Sequence, residues 1–93
     1  MFKILKKEEL SESITVFDID AKDIAKKAKP GNFIVLKTHE QGERIPLTIA
    51  DFDREKGTIT TVFQKVGKST YYLGALNEGD FITDVIGPLG IPS

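Results

Sequence analysis

No cysteine and no tryptophan occur among the 93 residues. Without cysteine there is no disulfide scaffold, no thiolate zinc site and no iron–sulfur centre ligated by this segment. The single histidine, His39, cannot build a multi-histidine site, so no metal is expected. A surplus of one charge is missing as well, since 13 basic and 14 acidic side chains leave a formal net charge of −1. Nucleic-acid and anionic-membrane binders normally carry a basic excess, so neither partner is expected. No apolar run approaches the roughly 20 residues of a membrane span, and the N-terminus has no secretory apolar region. The expected location is soluble and cytoplasmic.

What remains is an ordinary folded composition, 40% hydrophobic with only four prolines, in a length suited to one domain over residues 1–93. Residues 2–9 and 12–20 read as two strands joined near Leu10-Ser11. In the second, Thr15, Phe17 and Ile19 share one face and Ile14, Val16 and Asp18 the other. Asp20–Lys27 is a short helical or turn-like stretch ended by Pro30-Gly31. Asn32–Thr38 is a strongly apolar strand. Arg44–Ala50 reads as another, although Pro46 cannot donate to a ladder and points to an edge or an irregular, ligand-facing stretch. Asp53–Gly57 is a hairpin turn. Thr58–Val66 is rich in β-branched residues and reads as a strand. Tyr71–Leu76 reads as a helix with Ser69 or Thr70 as N-cap. Phe81–Ile86 is the last strand, and Gly87–Gly90 turns the chain away. The fold expected is mainly β, a six-stranded antiparallel Greek-key barrel with one short helix between strands five and six.

Two tracts exceed the needs of a plain barrel. Gly67-Lys68-Ser69-Thr70 lies between a strand and a helix, where backbone amides lack internal partners and the helix dipole favours an anion. Gly67 presents no side chain to hold a ligand off, and Lys65 and Lys68 would add positive charge. Arg44-Ile45-Pro46-Leu47-Thr48 holds an Arg whose planar donors match phosphate oxygens. Taken singly, each has a plainer reading: a capped helix, a strand-edge Arg, edge protection by Pro46, and Leu47 in the core. His39 reads as a solvated turn residue. No side chain reads as an acid–base catalyst.

The order of these tracts resembles the FAD domain of the ferredoxin–NADP reductase family. The matching segments are RIPLTIAD (44–51), TTVFQKVG (60–67), KSTYYLGALNEGD (68–80) and GPLG (87–90), with Leu73, Leu76, Gly79 and Asp80 fitting a Leu-x-x-Leu-x-x-Gly-Asp element. The resemblance is greatest to the branch holding the electron-transfer subunit of dihydroorotate dehydrogenase and the small subunit of NADH-dependent ferredoxin–NADP oxidoreductase (sulfide dehydrogenase). It implies FAD as cofactor. Arg44 would pair with its diphosphate, and Leu47, beside Pro46, would shield the isoalloxazine where relatives often place Tyr. Thr48 would lie beside flavin N5. Val62, Phe63, Gln64 and Lys65 would follow the ribityl chain and flavin edge, and the amides of Gly67, Lys68, Ser69 and Thr70 would hold the diphosphate.

In such relatives a nicotinamide-binding domain and a cysteine-rich iron–sulfur segment follow. This chain ends before both and has no G-x-G-x-x-G fingerprint. The expectation is therefore a fragment that is not active alone. NAD(P)H and an iron–sulfur cluster would belong to the parent enzyme, and an electron-transfer subunit would be its partner. Apolar surface uncovered by the missing domain would favour self-association. The alternative is a non-catalytic small β-barrel interaction module, which accounts for the strands but not for the order of the two tracts.

Overall fold

The computed structural model describes residues 1–90. In chain order the elements are β1 (Phe2–Glu9), β2 (Ile14–Asp20), α1 (Lys22–Lys27), β3 (Phe33–Lys37), β4 (Ile45–Asp53), β5 (Thr58–Gln64), α2 (Lys68–Gly74), β6 (Phe81–Ile82) and β7 (Asp84–Leu89). Every neighbouring pair is antiparallel, and the strands follow the order β6-β1-β2-β5-β4-β3-β7. The two terminal strands of that order are consecutive in the chain, with Thr83 alone between them, so the sheet comes close to closing on itself. The result is the expected mainly β, antiparallel Greek-key barrel.

The strand count differs from six because the last strand divides. Phe81 and Ile82 pair with β1, whereas Asp84 onward pairs with β3, so one chain segment serves both sides of the seam. The Gly87–Gly90 segment also departs from expectation. It does not leave the barrel, and β7 continues to Leu89, which lies opposite Phe33. The register slips between Phe33 and Val35, and the Gly87–Pro88 peptide there is cis. A Cβ on Gly87 would come within 2.9 Å of Ile34 Cγ2, so the strand can cross β3 this closely only with glycine at that position.

Alternation along β2 is as read from sequence. Thr15, Phe17 and Ile19 are fully buried and meet Ile34, Leu36 and Ile59 in the interior. Phe17 and Phe63 pack with ring centroids 5.3 Å apart at 55°, a tilted arrangement favoured by aromatic quadrupoles. In β1 the register shifts between Ile4 and Lys6. That extra residue places Lys7 opposite the inward-facing Phe17 and Glu9 opposite Thr15.

Two short helices occur among the described residues, the helical or turn-like stretch expected at Asp20–Lys27 being the first of them. α1 forms because Ile24, Ala25 and Ala28 bury one side, while Asp23 in its first turn and Lys26 and Lys27 in its last complement the dipole. Arg54, after β4, donates to the Ala28 carbonyl at 2.8 Å and secures the helix exit. α2 lies across the ends of β1 and β5 and sends Leu73, fully buried, into the core.

Candidate functional site

β4 and β5 run together only as far as the Ile49–Thr61 pair. From there β4 swings to β3, pairing Thr48 with Phe33 and Pro46 with Val35. β5 meanwhile stays with β2 through Val62, Phe63 and Gln64. Among the described residues, 45–48 and 62–64 therefore have no ladder to each other, and two strand edges diverge on the barrel wall. Pro46 belongs to an interior strand, but it sits where one flank of that strand has lost its neighbour. A residue without an amide hydrogen fits there.

Side chains sort by strand parity. Ile45 and Ile49 point inward and Leu47 packs partly against the core, while Pro46 and Thr48 are exposed. On β5, Thr61 and Phe63 point inward and Val62 and Gln64 outward, Val62 being 42% exposed. The outer wall thus presents Pro46, Thr48, Val62 and Gln64 together. The phenyl ring of Phe63 is in the core, so only its backbone can face a ligand.

β5 leads directly to α2. The N-cap is Gly67 (φ −146°, ψ 175°), so neither Ser69 nor Thr70 caps the helix, which begins three residues earlier than the apolar pattern suggests. Thr70 acts in the reverse sense. Its Oγ1 accepts from the amides of Val66 (2.9 Å) and Gly67 (3.0 Å) and donates to the Gly67 carbonyl (3.0 Å). That leaves the amides of Lys68, Ser69 and Thr70 with no protein acceptor among the described residues, as the first turn of a helix must. A Cβ on Gly67 would meet nothing within 4 Å, so the approach to these amides is open.

The two tracts meet through Glu43. Its Oε2 accepts a hydrogen bond from Ser69 Oγ at 2.9 Å, which ties the chain entering β4 to the start of α2. Between the 38–43 loop and α2 lies a cleft of about 190 Å³ lined in part by Glu43, Lys68, Ser69 and Tyr72. His39, exposed as expected, also stacks on Tyr72 with centroids 4.6 Å apart, and its Nδ1 lies 2.9 Å from Thr38 Oγ1. Arg44 reaches toward Asp84, its Nη1 being 3.9 Å from Asp84 Oδ2 at an exposed surface. Lys65 does not add charge at the helix start, because its ammonium lies 3.7 Å from Glu9. Lys68 alone of the two supplies that charge.

The Leu-x-x-Leu-x-x-Gly-Asp element has a structural reason for each member. Leu73 is buried, Leu76 packs on the core, and Gly79 takes φ +90°. The Asp80 carboxylate accepts from the Asn77 amide at 2.7 Å. This turn is then pinned to β1 by reciprocal 2.8 Å bonds, Gly79 amide to Ile4 carbonyl and Ile4 amide to Asp80 carbonyl. No group of three or more potential metal-ligating side chains occurs among the described residues, and no helix there is long and apolar enough to cross a membrane.

No protein-family model matches the chain. It is 60% identical over 93 residues to an uncharacterized protein in the adh 3′ region of Clostridium beijerinckii, covering all of this chain and 31% of that protein. A solved structure of NADH-dependent reduced ferredoxin–NADP oxidoreductase, described for flavin-based electron bifurcation, superposes with a TM-score of 0.98 at 46% identity. The match covers 100% of this chain and 34% of that one. With the nearly closed barrel and the strand–helix site, this places the chain among the ferredoxin reductase-like β-barrels. Within that class it is similar to the dihydroorotate dehydrogenase B electron transfer subunit homolog of Thermotoga maritima, 47% identical over 91 residues, covering 98% of this chain and 32% of that protein. The chain spans about a third of the length of the relatives it matches.

Proposed function

We propose that this chain is the FAD-binding domain of a flavoprotein that moves electrons between NAD(P)H and an iron–sulfur centre or ferredoxin. The observation that carries the reading is the divergence of β4 from β5 immediately before the open start of α2. Two unpaired strand edges offer backbone donors and acceptors to a flat polar ring system. The free amides of residues 68–70 offer donors to a diphosphate at the end of the same strand. The residues present fit the cofactor on both counts.

Each residue then has a task set by where it stands. Thr48 is exposed on the outer wall and can direct its hydroxyl or amide at the flavin edge near N5. Pro46, Val62 and Gln64 cover the ring edge and ribityl chain from the same wall, and Leu47, half-buried beneath them, excludes water. Phe63 and Lys65 contribute main chain only, since their side chains are committed to the core and to Glu9. Gly67 leaves the approach clear for Lys68, Ser69 and Thr70. Arg44 is held only by a long, exposed contact with Asp84, worth at most about 1 kcal/mol, so its guanidinium is free to turn to a phosphate. Bound FAD supplies the redox chemistry; the protein supplies binding, orientation and hydrogen bonding near the reactive atom. A nicotinamide-binding domain and an electron-transfer partner subunit would complete the enzyme.

Titration of the chain with FAD, followed by flavin fluorescence and anisotropy, tests this. Binding should quench the fluorescence and raise the anisotropy. An anisotropy that stays at the free-flavin value with protein in large excess would remove the proposal.

A further inference from the structure

We infer that Lys7, Glu9 and Lys65 form a clamp, with two largely buried lysines about a half-exposed carboxylate, that fixes the depth and tilt of α2 and so positions the cofactor-binding end of that helix. None of the three is needed to contact the ligand through its side chain. The inference rests on the flavin reading above.

The three side chains converge from β1 and from the residue that follows β5. Lys7 Nζ donates to the Gly74 carbonyl at 2.8 Å, where the last carbonyls of α2 lack helical partners. Glu9 Oε1 lies 3.8 Å from Lys7 Nζ and 3.7 Å from Lys65 Nζ, so one carboxylate serves two ammonium groups. Both lysines are largely removed from water, with side chains 16% and 13% exposed. Withdrawing two ammonium groups from water is unfavourable, and apolar side chains of similar length would pack there without that penalty. What apolar residues cannot supply is a directional bond to the end of the helix.

Two further features serve the same contact. The extra residue in β1 between Ile4 and Lys6 sets Lys7 opposite Phe17 and Glu9 opposite Thr15, so that both side chains leave the strand on the α2 side of the register. Gly74 lets the Lys65 stem lie on the helix backbone, for a Cβ there would fall 2.5 Å from Lys65 Cδ. Because α2 is only two turns long, movement at Gly74 is transmitted directly to Lys68–Thr70.

The test compares wild type with Lys7→Met and Lys7→Arg by amide hydrogen exchange without ligand and by FAD titration. Lys7→Met should speed exchange across 71–76 while leaving β2 and β5 protected. It should also weaken FAD binding about tenfold, the loss of one charge-assisted hydrogen bond, and Lys7→Arg should restore both. Glu9→Gln, which leaves two ammonium groups against a neutral partner, should show the same pair of changes if Lys7→Met does not fold. Unchanged exchange in α2 overturns the clamp alone. A loosened helix with unaltered FAD affinity overturns its positioning role. Absence of FAD binding by wild type removes the flavin reading and with it the link to the cofactor, while the exchange result still decides whether α2 is clamped.

Discussion

At the scale of single residues, the site depends on how a few polar atoms are shared. Thr70 satisfies the amides of Val66 and Gly67 from a position three residues into the helix, a reciprocal of the usual N-cap. Thr70→Ala should therefore cost about 1 kcal/mol of stability by urea denaturation, with Thr70→Ser close to wild type. Arg44 makes the opposite case. Its exposed contact with Asp84 contributes little to folding, so Arg44→Ala should leave the unfolding midpoint nearly unchanged. The same substitution should raise the dissociation constant for FAD about tenfold, measured by anisotropy at fixed ionic strength. A large loss of stability with unaltered FAD affinity would reverse the roles assigned to it.

At the scale of elements, the two short helices have different work. α1 buries an alanine-rich face and packs against β7, β5 and β4. α2 is anchored at one point by Leu73, which has no exposed surface, and at another by Lys7. Leu73→Ala should destabilise the chain by roughly 2–5 kcal/mol, the range for a buried leucine leaving a cavity. Of the strands, β2 and β5 are legible to within two residues at one end, because alternation of apolar and polar side chains is a local property. Phe81–Ile86 reads as one strand since nothing in its composition marks Thr83 as the place where partners change. The helix start was read too late because Lys68–Thr70 is polar; its being helical follows from Thr70 bonding back to Gly67, a contact that no apolar periodicity reports.

At the scale of the molecule, closure decides the outcome. β6 and β7 adjoin opposite margins of the sheet, and this turns a seven-strand order into a barrel with a filled interior. In that interior the hydroxyls of Thr15 and Thr61 are fully buried and have no protein hydrogen-bond partner among the described residues. Valine has nearly the same shape, and a buried unpaired hydroxyl is costly. Thr61→Val should raise stability by about 1 kcal/mol in thermal or urea unfolding, and a loss would mean that the hydroxyl is bonded after all. Outside, β4 pairs with β5 from Ile49 to Asp53 and with β3 from Ile45 to Thr48, changing partner partway along its length. The gap assigned to the flavin is thus a by-product of the topology.

By itself the sequence determined the class of fold, most of the places where the chain turns, and the two tracts to which the proposal assigns a dinucleotide. These follow from local periodicity, from turn residues and from an ordered set of short motifs. The tertiary structure alone decided which face each side chain took. It turned Phe63 inward, committed Lys65 to Glu9, carried the Gly87–Leu89 segment into the sheet, and brought Glu43 to Ser69. Those outcomes depend on pairing between strands far apart in the chain, where a shift of one residue exchanges inside for outside.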